Sequence, residues 1–284
     1  DHPDVAASYN SIGMVYHSQG KYDEALEEYE KCLKIQLDKL GHEHLDVAKT
    51  QENMANIYQK QSQYQKALQI YESVLATKIR VCGQDHLDVA TSYNNIGNIY
   101  YSQGKYDDAL DYYQKSLKIK ITAVGSDHLD VAKSYGNMAI VYNRQGKYDQ
   151  ALEYHQKSLS IKITTLGSDH LDVATSYNNI GSVYYRQGRY NEALEEYEKC
   201  LKIRVDKLGH EHLDVAASYN NIGMVYHSQG KYEDALDYYQ KSLKIRITGE
   251  RPPRRGTIEM RIDLSDVAHL KYNIARVFES QGKL

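Results

Sequence analysis

Two short stretches of this chain bring histidines close to carboxylates, a combination that can bind metal ions. Gly41-His42-Glu43-His44 is followed by Asp46, and Gly209-His210-Glu211-His212 is followed by Asp214. Imidazole nitrogens and carboxylate oxygens are common zinc ligands. However, related stretches such as Gln84-Asp85-His86 replace the first histidine, and His-x-His lacks the i, i+4 spacing that directs two helical side chains to one ion. We therefore predict helix capping at these positions, with no metal and no other cofactor.

The sequence contains none of the catalytic motifs that we searched for. The chain contains no His-Glu-x-x-His, no glycine-rich phosphate loop and no nucleophile elbow. Cys32 and Cys200 occupy one repeat position where three other repeats carry serine, and Cys82 occupies a position where four other repeats carry leucine or valine. We expect three buried thiols, a reducing compartment and no enzymatic activity.

A row of asparagines offers hydrogen-bonding chemistry instead. A side-chain amide can donate and accept at once, which suits the unpaired backbone groups of an extended peptide. The alternative is a hydrogen bond to a neighbouring repeat, and both roles can hold together. The row, broken only by Ser11, consists of Asn53, Asn95, Asn137, Asn179, Asn221 and Asn273.

The elements that position these residues recur with a 42-residue period. Leu-Asp-Val-Ala returns at Asp46, Asp88, Asp130, Asp172 and Asp214, always 42 residues apart, while the next Asp-Val-Ala, at Asp266, follows after 52 residues. A fixed period of this length indicates stacked supersecondary units that bury their apolar faces on one another.

One repeat illustrates the unit. Apolar residues at helical spacing predict a first helix from Leu87 to Gln103 and a second from Tyr106 to Val124. Asp85 is the expected N-cap of the first helix, and Gly104 is the expected glycine after its end. Each repeat is therefore predicted to be an antiparallel helical hairpin.

The repeat resembles the tetratricopeptide repeat (TPR). Ile96-Gly97, Tyr100, Gly104, Tyr106, Ala109 and Tyr113 match its pattern, with Tyr93 in place of the usual tryptophan. The 42-residue length, the Gly-x-Asp-His-x-Asp-Val-Ala join and the Asn-Asn-Ile-Gly segment resemble the repeats of kinesin light chains. The resemblance implies an all-α fold, an α-α superhelix or TPR solenoid of antiparallel hairpins.

The expected organisation has three parts. Residues 1–248 form six hairpins that start near positions 4, 46, 88, 130, 172 and 214. Residues 249–264 form an insertion containing prolines and arginines, in which 257–264 alternate apolar and polar residues like a strand. Residues 265–284 form the first helix of a truncated seventh repeat, and we expect the chain to be a segment of a longer array.

By resemblance, the first helix of each repeat lines a concave groove, and in such domains the asparagine of the row hydrogen-bonds the backbone of a ligand. Several positions on this helix vary between repeats while their neighbours stay fixed, as expected of a recognition surface. The candidate peptide-binding residues are Asn53, Asn94, Asn95, Asn98, Tyr101, Lys133, Asn137, Asn143, Arg144, Asn178, Asn179, Tyr185, Arg186, Asn220, Asn221 and His227.

Charge at the expected groove positions differs in sign from the net charge of −3 for the whole chain. Six basic and two acidic residues give the groove +4, which favours acidic ligands. Kinesin light chains bind acidic peptides that carry an aromatic anchor, so the resemblance implies that Tyr101 and Tyr185 contact such a ligand. The charged positions are Lys49, Lys60, Lys133, Arg144, Arg186, Arg276, Glu52 and Glu279.

The sequence thus predicts a non-catalytic module that binds extended, acidic segments of partner proteins, as an adaptor or scaffold. No long apolar run, signal segment or strong basic excess is present, so we expect a cytoplasmic protein that binds neither membrane nor nucleic acid. The alternative is a self-assembly or sensor module of a larger protein, with homo-oligomers formed through the end of the array or the insertion.

Overall fold

The computed structural model describes residues 3–248, 272–277 and 279, and all regular structure among them is α-helical. This confirms the predicted fold class, whereas the predicted insertion and most of the seventh repeat lie outside the described residues. None of the described helices combines the length and apolar character needed to cross a membrane. The helices are α1 (Pro3–Ser18), α2 (Tyr22–Leu40), α3 (Leu45–Lys60), α4 (Tyr64–Cys82), α5 (Leu87–Ser102), α6 (Tyr106–Val124), α7 (Leu129–Arg144), α8 (Tyr148–Leu166), α9 (Leu171–Arg186), α10 (Tyr190–Leu208), α11 (Leu213–Ser228), α12 (Tyr232–Thr248) and α13 (272–277).

The ends of each hairpin follow local chemistry. The N-cap of α5 is His86, whose Nδ1 accepts the backbone N–H of Asp88 at 3.2 Å. The prediction that Asp85 caps this helix was therefore wrong by one residue. The same histidine cap begins α3, α9 and α11, which confirms the capping role predicted for the histidine-rich stretches. Gly104, with φ of 75°, provides the left-handed residue that ends the first helix of the repeat.

A glycine inside the first helix of four repeats allows a tyrosine of the second helix to approach. A Cβ atom added at Gly97 would lie 2.8 Å from the ring of Tyr113, which is closer than real Cβ atoms come to their neighbours. Glycine therefore allows the two helices of the hairpin to pack tightly around a buried aromatic ring.

The chain divides into two compact units, residues 1–141 and 142–284. In the first unit, Tyr29 and Tyr71 from second helices pack in one cluster with Ile57 and Ile96 from first helices, and all four are 0% exposed. In this unit, α2 and α4 thus cover apolar residues of their own repeat and of the next.

The helix α1 is less well covered than its counterparts. Val5 is 39%, Ile12 43% and Val15 54% exposed. The residues at the matching positions of later repeats are buried by the preceding second helix: Val47, Val89, Val131, Val173, Val215, Met54, Ile96, Met138, Ile180, Ile222, Ile57, Ile99, Val141, Val183 and Val225.

The second unit repeats the same packing. Ala193 and Tyr197 of α10 form a cluster with Ile222 and Val225 of α11. His155 of α8 is 2% exposed and occupies the position at which the five other repeats carry tyrosine.

The thiols differ in burial. Cys32 and Cys200 are 0% exposed, as predicted. Cys82 is only half-buried, so its predicted burial was wrong, because it is the last residue of α4 and lies beside the turn to α5.

Candidate functional site

Three of the row asparagines are used in joining successive repeats. Nδ2 of Asn53 donates to Oδ1 of Asn10 at 3.1 Å, and Nδ2 of Asn137 donates to Oδ1 of Asn94 at 3.0 Å. In the second unit, Asn221 donates to Asn178 at 2.8 Å. The alternative role, a hydrogen bond to the neighbouring repeat, therefore holds for these candidates. Their amides are partly occupied before any ligand arrives.

Two other row asparagines have unoccupied amides. The side chains of Asn95 and Asn179 are half-buried and hydrogen-bond no residue in the described part of the chain. The preceding repeats carry Glu52 and Gly136 at the position where Asn10, Asn94 and Asn178 act as acceptors. Each unit thus presents an amide whose donors and acceptor can bind a ligand backbone.

Glu52 is not a groove residue, contrary to the expectation. It is 4% exposed and accepts a hydrogen bond from Lys78 Nζ at 2.6 Å, with Ser92 Oγ at 3.4 Å. A buried carboxylate needs a cation, and Lys78, itself 6% exposed, provides it. Without Glu52, the charge at the expected groove positions is +5 rather than +4.

Asn98 is held from within its own repeat. Its Oδ1 accepts the hydroxyl hydrogen of Tyr113 at 2.6 Å, as Asn56 does from Tyr71 at 2.7 Å. Burial raises the pKa of Tyr113, so this phenol remains a donor at neutral pH. Only the donor side of the Asn98 amide is left for a ligand.

The two candidate aromatic anchors are packed against the next helix. The ring of Tyr101 lies 5.9 Å from that of Tyr106, and the ring of Tyr185 lies 5.8 Å from that of Tyr190. The Tyr185 hydroxyl is also 3.0 Å from Ser228 Oγ. These contacts fix the ring orientations, and both rings remain partly exposed.

A small cavity in the second unit contains two buried nitrogen atoms that have no hydrogen-bond partner among the described residues. They are Nε2 of His227 and Nδ2 of Asn273, and Tyr185, Met224 and Arg276 complete the wall together with Tyr239. The cavity measures about 60 Å³. Burial lowers the pKa of His227, and Arg276 lowers it further, so its ring is neutral near pH 7. Oxygen atoms of a ligand would satisfy these nitrogens.

The remaining candidates lie on the first helices α7, α9 and α11. Arg144 and Arg186 are exposed, and Lys133 is exposed with its Nζ 3.5 Å from Asp130. Asn143 contains a buried Oδ1 without a hydrogen-bond partner among the described residues. Asn220 donates to the sulfur of Met224 at 3.6 Å.

One set of basic residues was missed by the sequence interpretation. Lys120, Lys162 and Arg204 of the second helices each reach a serine of the next first helix at 2.9 Å. Burial lowers the pKa of Lys120, which Asp130 partly opposes. The signal was present in the sequence, since five of six repeats carry lysine or arginine at this position: Lys78, Lys120, Lys162, Arg204 and Arg246, with Gln36 in the first.

Solved structures with the same fold have low sequence identity to this chain. BtubC (BKLC) from P. vanneervenii is 22% identical, with a TM-score of 0.67 over 86% of this chain and 96% of that chain. The nearly identical TPR-like repeats assigned to a kinesin light chain of Podosopora anserina are 24% identical, with a TM-score of 0.63 over 73% and 99%. A Pyrococcus horikoshii STAND protein with a tetratricopeptide repeat sensor, PH0952, is 15% identical, with a TM-score of 0.72 over 99% and 40%. At these identities the similarity shows the fold alone.

Sequence comparison gives the family. No curated protein matches at a significant level. The family model of the tetratricopeptide repeat matches residues 4–79, 46–122, 88–164, 130–204 and 172–248, so its matches extend over most of the chain. The resemblance predicted from the sequence is thereby confirmed, and repeats of this kind generally mediate contacts between proteins. The chain belongs to the tetratricopeptide repeat family.

Proposed function

We propose that this chain is a non-catalytic adaptor or scaffold module that binds extended, acidic segments of partner proteins along its first helices. The observation that carries the proposal is the pair of unoccupied amides, Asn95 and Asn179, within a row in which Asn53, Asn137 and Asn221 bond neighbouring repeats. An amide that the fold does not use, on a helix face otherwise held by hydrogen bonds, is suited to a peptide backbone.

Charge supports the acidic character of the ligand. Arg144 and Arg186 are exposed on first helices, and Arg276 forms part of the wall of the His227–Asn273 cavity. A carboxylate of the ligand would accept hydrogen bonds from cavity nitrogens that have no partner in the part of the chain that the structure describes. Leaving such buried groups unpaired costs roughly 1–3 kcal/mol each, so binding would recover part of that cost.

The test is a fluorescence-anisotropy titration of acidic, tryptophan-bearing peptides at two salt concentrations. We expect saturable binding that weakens as salt rises, because exposed charge attraction is screened. Arg186→Glu should weaken binding at low salt by about tenfold or more, since it replaces attraction with repulsion. Absence of binding by a monodisperse monomer would refute the proposal.

A second candidate function, self-association, is favoured by the exposed face of α1. Val5, Ile12 and Val15 form an apolar surface of the kind that second helices cover elsewhere in the chain. A second copy could cover it. Concentration-dependent dimers that Val15→Lys abolishes would support this candidate, whereas a monomer at all concentrations would exclude it.

A further inference from the structure

We propose that Cys82, His86 and Asp88 form a zinc-binding site at the turn between α4 and α5. One ligand atom from each residue, the thiol sulfur, an imidazole nitrogen and a carboxylate oxygen, lies within 4.8 Å of the other two. Thiolate, imidazole and carboxylate are the three donor types that zinc accepts in proteins. The expectation of no metal rested on the histidine pairs of other turns, which lack a thiol.

The distances between the three ligand atoms are close to those in a zinc site with the metal bound. Zinc lies about 2.0–2.3 Å from its ligands, so donors around one tetrahedral ion are separated by roughly 3.3–3.8 Å. Nδ1 of His86 is already 3.5 Å from Oδ2 of Asp88. Their side chains are 50% and 51% exposed, so small rotations can close the remaining gap without disturbing the core.

The orientation of the His86 ring suits metal binding. Its Nδ1 accepts the backbone N–H of Asp88, so the lone pair of this nitrogen is directed toward the first turn of α5. Zinc would take over this lone pair and displace the capping hydrogen bond, while Nε2 keeps its proton. Cys82 would bind as the thiolate and release its proton to water, and a water molecule would fill the fourth position.

A cation at this turn would lie between two helix ends of opposite partial charge. Cys82 ends α4, where the unpaired carbonyl groups make the helix end negative. The N-terminus of α5 is positive, and Asp88 in its first turn offsets this.

The sister repeats provide the reason to single out this turn. His44, His128 and His212 make the same cap and lie 3.5, 3.5 and 3.6 Å from the matching aspartate. The histidine–aspartate pair is thus a shared capping device. At the position of Cys82, however, four other repeats carry the apolar residues Leu40, Val124, Leu166 and Leu208. Among the turns that the structure describes, the α4–α5 turn alone combines the pair with a thiol, and the other two cysteines are 0% exposed in the core.

The experiment is a titration of the full chain with Co²⁺, which reports thiolate ligation through a near-ultraviolet charge-transfer band that zinc then bleaches. The matched control is Cys82→Leu, which installs the residue of three sister repeats and should keep the fold. A second variant, His86→Asn, removes the imidazole and keeps an oxygen that can cap α5.

We expect one cobalt ion per chain, complete loss of the band in Cys82→Leu, and affinity at least tenfold weaker in His86→Asn, with unchanged far-ultraviolet circular dichroism. Zinc should also slow alkylation of Cys82, identified by mass spectrometry, by more than tenfold. No charge-transfer band in the wild-type chain, or an equal band in Cys82→Leu, would overturn the proposal.

Discussion

His155 provides a pH-dependent stability that can be predicted quantitatively. Its side chain is 2% exposed in α8. Burial lowers the pKa of this imidazole to about 4 from its ordinary value of 6.5, and the nearby charge of Lys162 acts in the same direction. The folded protein therefore keeps His155 neutral in a pH range where the unfolded chain protonates it.

The direction and size of the pH effect on stability follow from this pKa difference between the folded and unfolded states. Between pH 6.5 and about 4 the unfolded state binds more protons than the folded state, so stability falls as the pH falls through that window. Each pKa unit corresponds to about 1.36 kcal/mol. The full loss is roughly 3 kcal/mol, of which about 2 kcal/mol is lost between pH 7 and pH 5.

The assay compares urea unfolding of the wild-type chain with that of His155→Tyr, which carries the residue of the five other repeats. All other titrating groups are common to both chains, so the difference isolates His155. The fall in unfolding free energy between pH 7 and pH 5 should be smaller in the variant by about 2 kcal/mol. His155→Leu serves as a second non-titrating variant if the tyrosine does not fit.

If the unfolding free energy fell equally between pH 7 and pH 5 in the wild-type chain and in both variants, this reasoning would be refuted. That result would mean that His155 is accessible to protons in the folded state. A larger fall in the variants would show that the imidazole is stabilised in its charged form.

Three further predictions concern stability. Glu52→Asn leaves Lys78 buried without its carboxylate and should lower the unfolding free energy, measured in urea, by about 3–5 kcal/mol. The double variant that adds Lys78→Gln should recover part of this loss, and an unchanged unfolding free energy in Glu52→Asn would contradict a buried ion pair. Gly97→Ala should cost roughly 1–3 kcal/mol in the same assay, because its Cβ would lie 2.8 Å from a buried tyrosine ring. Helices α1 and α11 differ only at their first residue and at one serine-to-asparagine position, yet three apolar residues of α1 are about half exposed. The backbone amides of α1 should therefore exchange with deuterium about tenfold faster, or more, than those of α11. Equal protection of the two helices would show that something covers α1.

The fold could be predicted because its signals are repeated. Period, helical spacing and the glycine after five of the six complete first helices all indicate the same hairpin, and α6 has the predicted bounds, Tyr106–Val124. The N-cap was misassigned to Asp85 because aspartate is the stronger general capping residue. The turn geometry instead places His86 two residues before the N–H group that it accepts.

The candidate site was predicted only in part, because sequence shows which residues share a helix face but not which of them bond each other. Asn95 and Asn137 look equivalent in the sequence, yet only Asn137 has an asparagine acceptor, Asn94. Glu52 looked like a groove residue, and its pairing with Lys78 depends on contact between two helices. The burial of Cys82 was misjudged because its counterparts are apolar, although the position lies at a helix end.

The most direct test of the account compares peptide binding by Asn179→Ala and Asn221→Ala, two changes in the same row and the same unit. Asn179 has no partner among the described side chains, whereas Asn221 donates to Asn178 at 2.8 Å. For one acidic peptide in the anisotropy assay, Asn179→Ala should weaken binding about three- to tenfold without changing stability. Asn221→Ala should lower the unfolding free energy by about 1 kcal/mol and leave the peptide affinity nearly unchanged. Equal affinity in Asn179→Ala and the wild-type chain would contradict the central claim that the amides left free by the fold bind the ligand.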